Sequence, residues 1–379
     1  IALSGPQATG AWMKEFGAWY FDLARQPDGT FVHLGPPQMK NDSYAAWDAT
    51  GAILLGYAMP LKKIYLTGKG TPTAPQLDAA EAQAIVMGGR GWSNKDRNSA
   101  YDKLDGDALL EMLGSWSPTI RERAAAALAR RKEIPLRPLL KMLESPKLEA
   151  RYGACEALAL MRGAAAPAVP ALRKALKSDD LWLRVKAAEA LSMIGKPAMV
   201  AVPELLEMLA KGPTEKDPRA MEQRYLSFAV FGQLLKNSLD GVDRDALRKA
   251  VTAGLVNQDG RARGSIGNVY QHLSYKDIKP LLPAIHEAIV TPAPSGIMFA
   301  AGIRLQGVAV LAKHHIREGM QLCLDVMEID KWGKQDRIKQ CLNTLGSYGA
   351  AAKPLLPQLR QLEKDLSAHK EAKNLRPLI

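Results

Sequence analysis

The side chains able to do chemistry are few and scattered. Cys155, Cys323 and Cys341 lie far apart, each inside an apolar helical pattern. They form neither a CxxC pair nor a His/Cys spacing that would hold structural zinc, so buried free thiols are the expected reading. The six histidines are His33, His272, His286, His314, His315 and His369, and none falls into HxxxH or HExxH spacing. His314-His315 is expected at a helix end, where a cation suits the dipole. Gly88-Gly89-Arg90-Gly91 lacks the pattern of a phosphate cradle. Gly260-Arg261-Ala262-Arg263-Gly264-Ser265 is basic and reads as a solvated inter-helical loop, with Arg261 and Arg263 able to meet an anion. No GxSxG elbow occurs, and no cysteine–histidine pairing offers a nucleophile. Asp179-Asp180 is expected in an inter-helix turn near the next helix N-terminus, where negative charge is favoured. The residue types therefore predict no catalytic set, no metal and no cofactor. The reading leans to a binding module rather than an enzyme.

Composition agrees with a folded, soluble-type chain. The 379 residues are 47% hydrophobic and 24% charged, which excludes disorder, a collagen-like fibre and a disulfide scaffold. No apolar run reaches the roughly 18 residues of a membrane span. The net charge of +12 invites a nucleic-acid reading. It is spread, however: 9 basic against 8 acidic side chains in residues 1–97, 22 against 17 in 98–236, and 20 against 14 in 237–379. The chain begins at Ile1 with neither a basic n-region nor an apolar h-region, which predicts a fragment or processed product of a larger protein. The compartment stays open.

The elements that position these residues come from an internal repeat. Pro-x-x-Pro followed by leucines recurs at Pro135/Pro138, Pro167/Pro170, Pro280/Pro283 and Pro354/Pro357, with Pro203 as a copy lacking the first proline. Proline fits the first turn of a helix, so each copy predicts the start of a short amphipathic helix. A second helix follows, written Ser117 to Leu128, Ser145 to Leu158 and Ser178 to Leu191. Its serines are expected as N-caps, Gly163 and Gly195 as C-caps, and Ala125, Ala154 and Ala187 as points of close helix contact. Arg121, Arg151 and Arg184 each stand seven residues before the closing leucine. Trp116 and Trp182 fall at or just after the inter-helix turn of two repeats. They are packing residues or, if exposed, anchors on a binding ridge.

This pattern, from about Leu104 to Pro197, resembles tandem HEAT repeats of the short bacterial kind also found in phycobilisome-lyase-type proteins. The resemblance implies an all-α fold, an α-solenoid of HEAT-like helical pairs over residues 103–366, preceded by a small helical segment and followed by a polar tail, 367–379, that frays. Helices are expected downstream at Met221–Lys236, Asp243–Ala253, Pro280–Ile289, Ile297–Lys313, Gly319–Met327, Lys334–Gly346 and Pro354–Leu366. In the family the second-helix arginine bonds to neighbouring-repeat groups, which makes a structural role the preferred one for Arg121, Arg151 and Arg184 over ligand binding. A solenoid also leaves a long concave surface, normally used for binding.

Residues 1–70 differ. Trp12, Phe16, Trp19, Tyr20 and Phe21 fall at helical spacing, and Asp28-Gly29 is a turn signal. Gln26-x-Asp28-Gly29-x-Phe31 resembles the QW motif of α/α toroid proteins, the terpene cyclase-like and prenyltransferase-like domains. It is one residue shorter, with Phe in place of Trp. The resemblance implies the end of a toroid-like domain, without the catalytic aspartates or zinc ligands of those enzymes. Residues 71–102 read as a linker with one helix. The resulting functional expectation is a scaffold that binds a protein or peptide on its concave face. The alternatives are a nucleic-acid-binding HEAT protein similar to the HEAT-like DNA glycosylases, and, on similarity of repeats alone, a bilin-lyase-like enzyme.

Overall fold

The computed structural model describes residues 101–115, 118–131, 135–295 and 299–378, together with a few isolated positions before residue 84. The toroid-like segment, the linker, Trp116 and Ser117 lie outside the described residues. The chain divides into two compact units, Ile1–Ala127 and Leu128–Ile379.

In the first unit, α1 (Gly106–Leu113) is started by Asp105, whose carboxylate accepts from Ala108 N at 2.7 Å. Leu109 and Leu113 are its fully buried residues. Helix α2 (Pro118–Ala129) opens on a proline, where the missing N–H costs nothing, and buries Ala124 and Ala125 completely.

The second unit is built of helical pairs. In chain order they are α3 (Leu136–Leu143) with α4 (Leu148–Met161), and α5 (Val169–Ala175) with α6 (Leu181–Ile194). Then come α7 (Val202–Ala210) with α8 (Met221–Ala229), and α9 (Arg244–Leu255) with α10 (Gly260–Ile266). The last are α11 (Leu282–Val290) with α12 (Ala300–Lys313), and α13 (Glu318–Met327) with α14 (Lys334–Ser347). A further helix, α15 (Leu356–Ala368), follows. Second helices stack on second helices, α4 on α6, α6 on α8, α8 on α10, α10 on α12 and α12 on α14. First helices form a parallel row in which α7 meets α9, α9 meets α11 and α11 meets α13. Two rows with one continuous core between them make an α-solenoid. Ala154 and Ala187 are fully buried where the second helices touch, as small residues must be for close approach.

Three of the Pro-x-x-Pro phrases write a 3-10 turn running into an α-helix, while Pro135 is the N-cap of α3. Pro167, Pro280 and Pro354 sit in the 3-10 segments Arg162–Ala168, Lys279–Leu281 and Gly349–Leu355. Pro170, Pro283 and Pro357 then occupy the first turns of α5, α11 and α15. A fixed φ suits both conformations, and neither first turn needs the missing donor.

Several expectations need correction. Ser145 and Ser178 are not N-caps; each accepts from a backbone N–H two residues on, and the caps are Lys147 and Asp180. Asp180 accepts from Leu183 N at 2.7 Å, so the aspartate predicted near that N-terminus is the cap itself. Gly195 closes α6 at φ 79°, but α4 is closed by Arg162, not Gly163. Gly260–Ser265 is helix α10, not a loop. The C-terminal stretch, expected as a polar tail, carries helical structure. A short helical turn, Ala372–Leu375, buries Leu375, and Glu371 meets Lys334 at 2.9 Å. Among the described residues no helix is long and apolar enough to cross a membrane.

Candidate functional site

The second helices carry both of the arrangements on which a functional reading can rest. The first is a ladder of arginines, one near the start of each second helix. Arg121 donates to Ser115 O at 2.9 Å, Arg184 to Ser178 O at 2.7 Å, and Arg263 to Asn257 O, each carbonyl lying six residues back in the preceding turn. Arg263 also reaches Thr291 O at 2.9 Å. Arg304 donates to Ile289 O at 2.7 Å, and Arg337 to Met327 O, Glu328 O and Trp332 O at 3.0, 2.9 and 3.0 Å. The last turn of a helix presents carbonyls with no partner and a negative dipole end. A planar guanidinium spreads five donors over three nitrogens in a fixed fork, which reaches separated carbonyls that a compact ammonium does not span as well. Carboxylates complete two rungs: Glu222 pairs with Arg184, with Nη2 to Oε2 at 3.1 Å, and Glu328 with Arg304 at 2.9 Å.

Arg121, Arg184 and Arg263 are thus spent on backbone carbonyls. Arg263, read from the sequence as a solvated anion contact, is 6% exposed, and burial pulls its pKa below the usual value. Arg261, on the same helix, stands exposed and stacks over the Phe299 ring at 3.8 Å. Arg304 and Arg337 escaped the sequence reading because their repeats depart from the Ser…Arg…Leu phrase. Arg151 on α4 and Arg224 on α8 occupy the ladder position without serving a carbonyl, and the Nε of each is buried without a hydrogen-bond partner; Arg224 lies 3.6 Å from Asp259.

The second arrangement is an aromatic groove between α6 and α8. Trp182 is 44% exposed and meets Tyr225 edge-on, centroids 5.7 Å apart; Tyr225 meets Phe228 edge-on at 5.9 Å. Val185, Met193 and Ala229 complete an apolar trough of about 360 Å³ rimmed by Lys186, Glu189 and Gln233. Arg224 lies over both Tyr225 and Phe228, at 5.7 and 5.9 Å. Burial works against a charge on Lys186, but Glu189 at 3.3 Å and Glu156 at 3.4 Å outweigh it and raise its pKa. After α8 the chain makes one π turn, Val230–Leu234, in which Leu235 N reaches Val230 O at 2.8 Å. That turn rotates the helix face between Phe228 and Gln233, and such turns mark functional surfaces often. Of the two tryptophans singled out from the sequence, Trp182 is the one described, and it is a groove wall. Tyr225 and Phe228 were legible only as helix residues, because their meeting depends on the stacking of α8 against α6.

Acid–base and metal chemistry find little support. Among the described residues no three His, Cys, Asp or Glu side chains converge to hold a metal. The three thiols are buried, and burial pushes Cys155 and Cys323 up to about 12 and Cys341 to about 11. His314 does end a helix, and burial and the neighbouring Lys313 lower its pKa, which works against the cation expected there.

With this geometry in place, comparison with known families is informative. Residues 136–223 match the family model described as HEAT repeats. Residues 1–68 match a family model described as a domain of unknown function, DUF6288. A search of curated proteins finds no match to the chain. Residues 136–223 are HEAT repeats, and the described residues have an all-α solenoid architecture.

Proposed function

We propose that the solenoid is a non-enzymatic scaffold that holds a protein or peptide partner on its second-helix face. The Trp182–Tyr225–Phe228 groove takes the partner's apolar anchor. The supporting observation is the groove itself: three aromatic rings, part-exposed on the face that HEAT proteins use for interactions, within a rim of both charges. Aromatic pockets enclosed by polar rims are where binding energy concentrates, and a preformed helical wall costs little entropy on association. The same face argues against the nucleic-acid reading. Lys186 is held between two carboxylates, and Arg184, Arg263 and Arg304 already serve backbone carbonyls. A phosphate-tracking surface needs free, converging cations. The test is a double variant, Trp182→Ala with Phe228→Ala, checked for unchanged helical circular dichroism. Partners retained by the wild-type chain should be lost from the variant; retention of all of them overturns the reading.

A further inference from the structure

Arg151 and Arg224 both stand in the ladder without serving a carbonyl, but Arg224 has the Asp259 carboxylate at 3.6 Å, whereas no described carboxylate pairs with Arg151. Arg121, Arg184, Arg263, Arg304 and Arg337 all donate to carbonyls, and two of them also meet a carboxylate. Arg151 makes none of these bonds, although its Nε is shut away from water. The acid that serves Arg184 is Glu222, second residue of the next second helix; the equivalent residue facing on from α4 is Trp182. The neighbouring cap is missing as well. Helices α6, α9 and α10 begin with aspartates that accept first-turn N–H groups, whereas α4 begins with Lys147 and has no side-chain cap.

A cavity of about 490 Å³ opens at this place, lined by Arg151, Lys174, Lys177, Ser145, Ser178 and Glu144 among others. Its charged side chains are three cations and one carboxylate. Glu144 and Lys174 pair only loosely at 3.7 Å, with side chains 70% and 80% exposed. Lys177 is exposed. Both serines already use their oxygen as acceptor, from Lys147 N at 3.1 Å and Asp180 N at 3.2 Å, so each O–H is left to donate elsewhere. Guanidinium, two ammonium groups and two hydroxyl donors around one cavity form a donor set without an acceptor of matching charge. A buried Nε–H without a partner is costly, and an oxyanion is a group that satisfies it.

We propose that this cavity binds a dianionic phosphate group, as free phosphate or as a phosphomonoester, with Arg151 as its central ligand and Lys174 and Lys177 closing over it. The site is separate from the aromatic groove and does not depend on it.

The test is isothermal titration of the whole chain at fixed ionic strength with inorganic phosphate and, in a second arm, with a short phosphoserine peptide and its unphosphorylated twin. Saturable one-to-one binding is expected for phosphate. Arg151→Gln should weaken it at least about tenfold, since hydrogen bonds to a charged group are at stake. Lys177→Gln should weaken it severalfold, while Arg261→Gln, on exposed α10 surface, leaves it unchanged. Lys177 stands in solvent, so that variant carries the test even if Arg151→Gln loses helical signal. Tighter binding of the phosphoserine peptide assigns the group to a modified partner; tighter binding of phosphate assigns it to the free ion. No saturable binding, or binding equal in wild type, Arg151→Gln and Lys177→Gln, overturns the proposal.

Discussion

At the residue scale, the arginine ladder makes the sharpest claims. Arg337 is 5% exposed and satisfies carbonyls at the end of α13 and in the turn that follows. Removing its guanidinium strands those carbonyls away from water, at about 1–3 kcal/mol for each buried group left unpaired. Arg337→Leu should therefore lower stability by about 3 kcal/mol, read as a shift in the urea midpoint. Arg337→Lys should recover little, because a single ammonium nitrogen cannot take the three positions that Nε, Nη1 and Nη2 occupy. The carboxylate beside it gives a pH prediction. Burial opposes ionisation of Glu328, but the hydrogen bonds and charges of Arg304 and Lys331 outweigh it and hold its pKa below the ordinary 4.5. A depressed carboxylate stabilises the fold above its unfolded value and loses that contribution as pH falls through the folded one. Between about pH 5 and about pH 3 the wild type should lose more stability than Glu328→Gln. Parallel acid-unfolding curves for the two would contradict the pairing.

At the element scale, helix ends show how far sequence reasoning reached and where it stopped. The existence of the helices from Met221 to Leu366 was legible from apolar spacing and proline position, because both act locally. Met221–Lys236, read as one helix, is α8 plus a π turn, a feature no local pattern announces. Helix α10 was missed since its seven residues, GRARGSI, contain two glycines and two arginines; tertiary packing, burying Ala262 and Ile266, overrides that weak propensity. Cap positions slipped by a residue or two because Ser-Pro and Ser-Asp turns precede the true cap. The slip at Arg162 has an energetic consequence. Arg162 sits at φ 53°, ψ −135°, a conformation suited to glycine, while Gly195 fills the equivalent place at φ 79°, ψ −131°. Such strain costs about 1–3 kcal/mol in a residue with a Cβ. Arg162→Gly should raise the thermal midpoint, by about 1 kcal/mol after the added freedom of the unfolded chain is subtracted. An unchanged or lowered midpoint would show the neighbouring contacts relieve the strain.

At the scale of the whole molecule, formal charge is a poor guide to partners. The net +12 includes Arg263, Arg304 and Arg337, guanidiniums 5–6% exposed whose charge faces helix C-termini rather than solvent. Sequence counting could not separate those from surface cations, since both are written Arg. The groove was half legible: exposure of Trp182 was one of two readings, but its partners Tyr225 and Phe228 come from the next repeat. A solenoid creates its surface by stacking, so the binding face belongs to the array rather than to any one repeat. The most direct measurement is a peptide-library selection on the folded chain, with the Trp182→Ala, Phe228→Ala double variant used for counter-selection. The scaffold reading predicts enriched peptides sharing an apolar anchor, bound by the wild type and weakened at least about tenfold by the variant, as loss of aromatic anchors implies. Failure to enrich any peptide, or peptides that bind both chains equally, would contradict it.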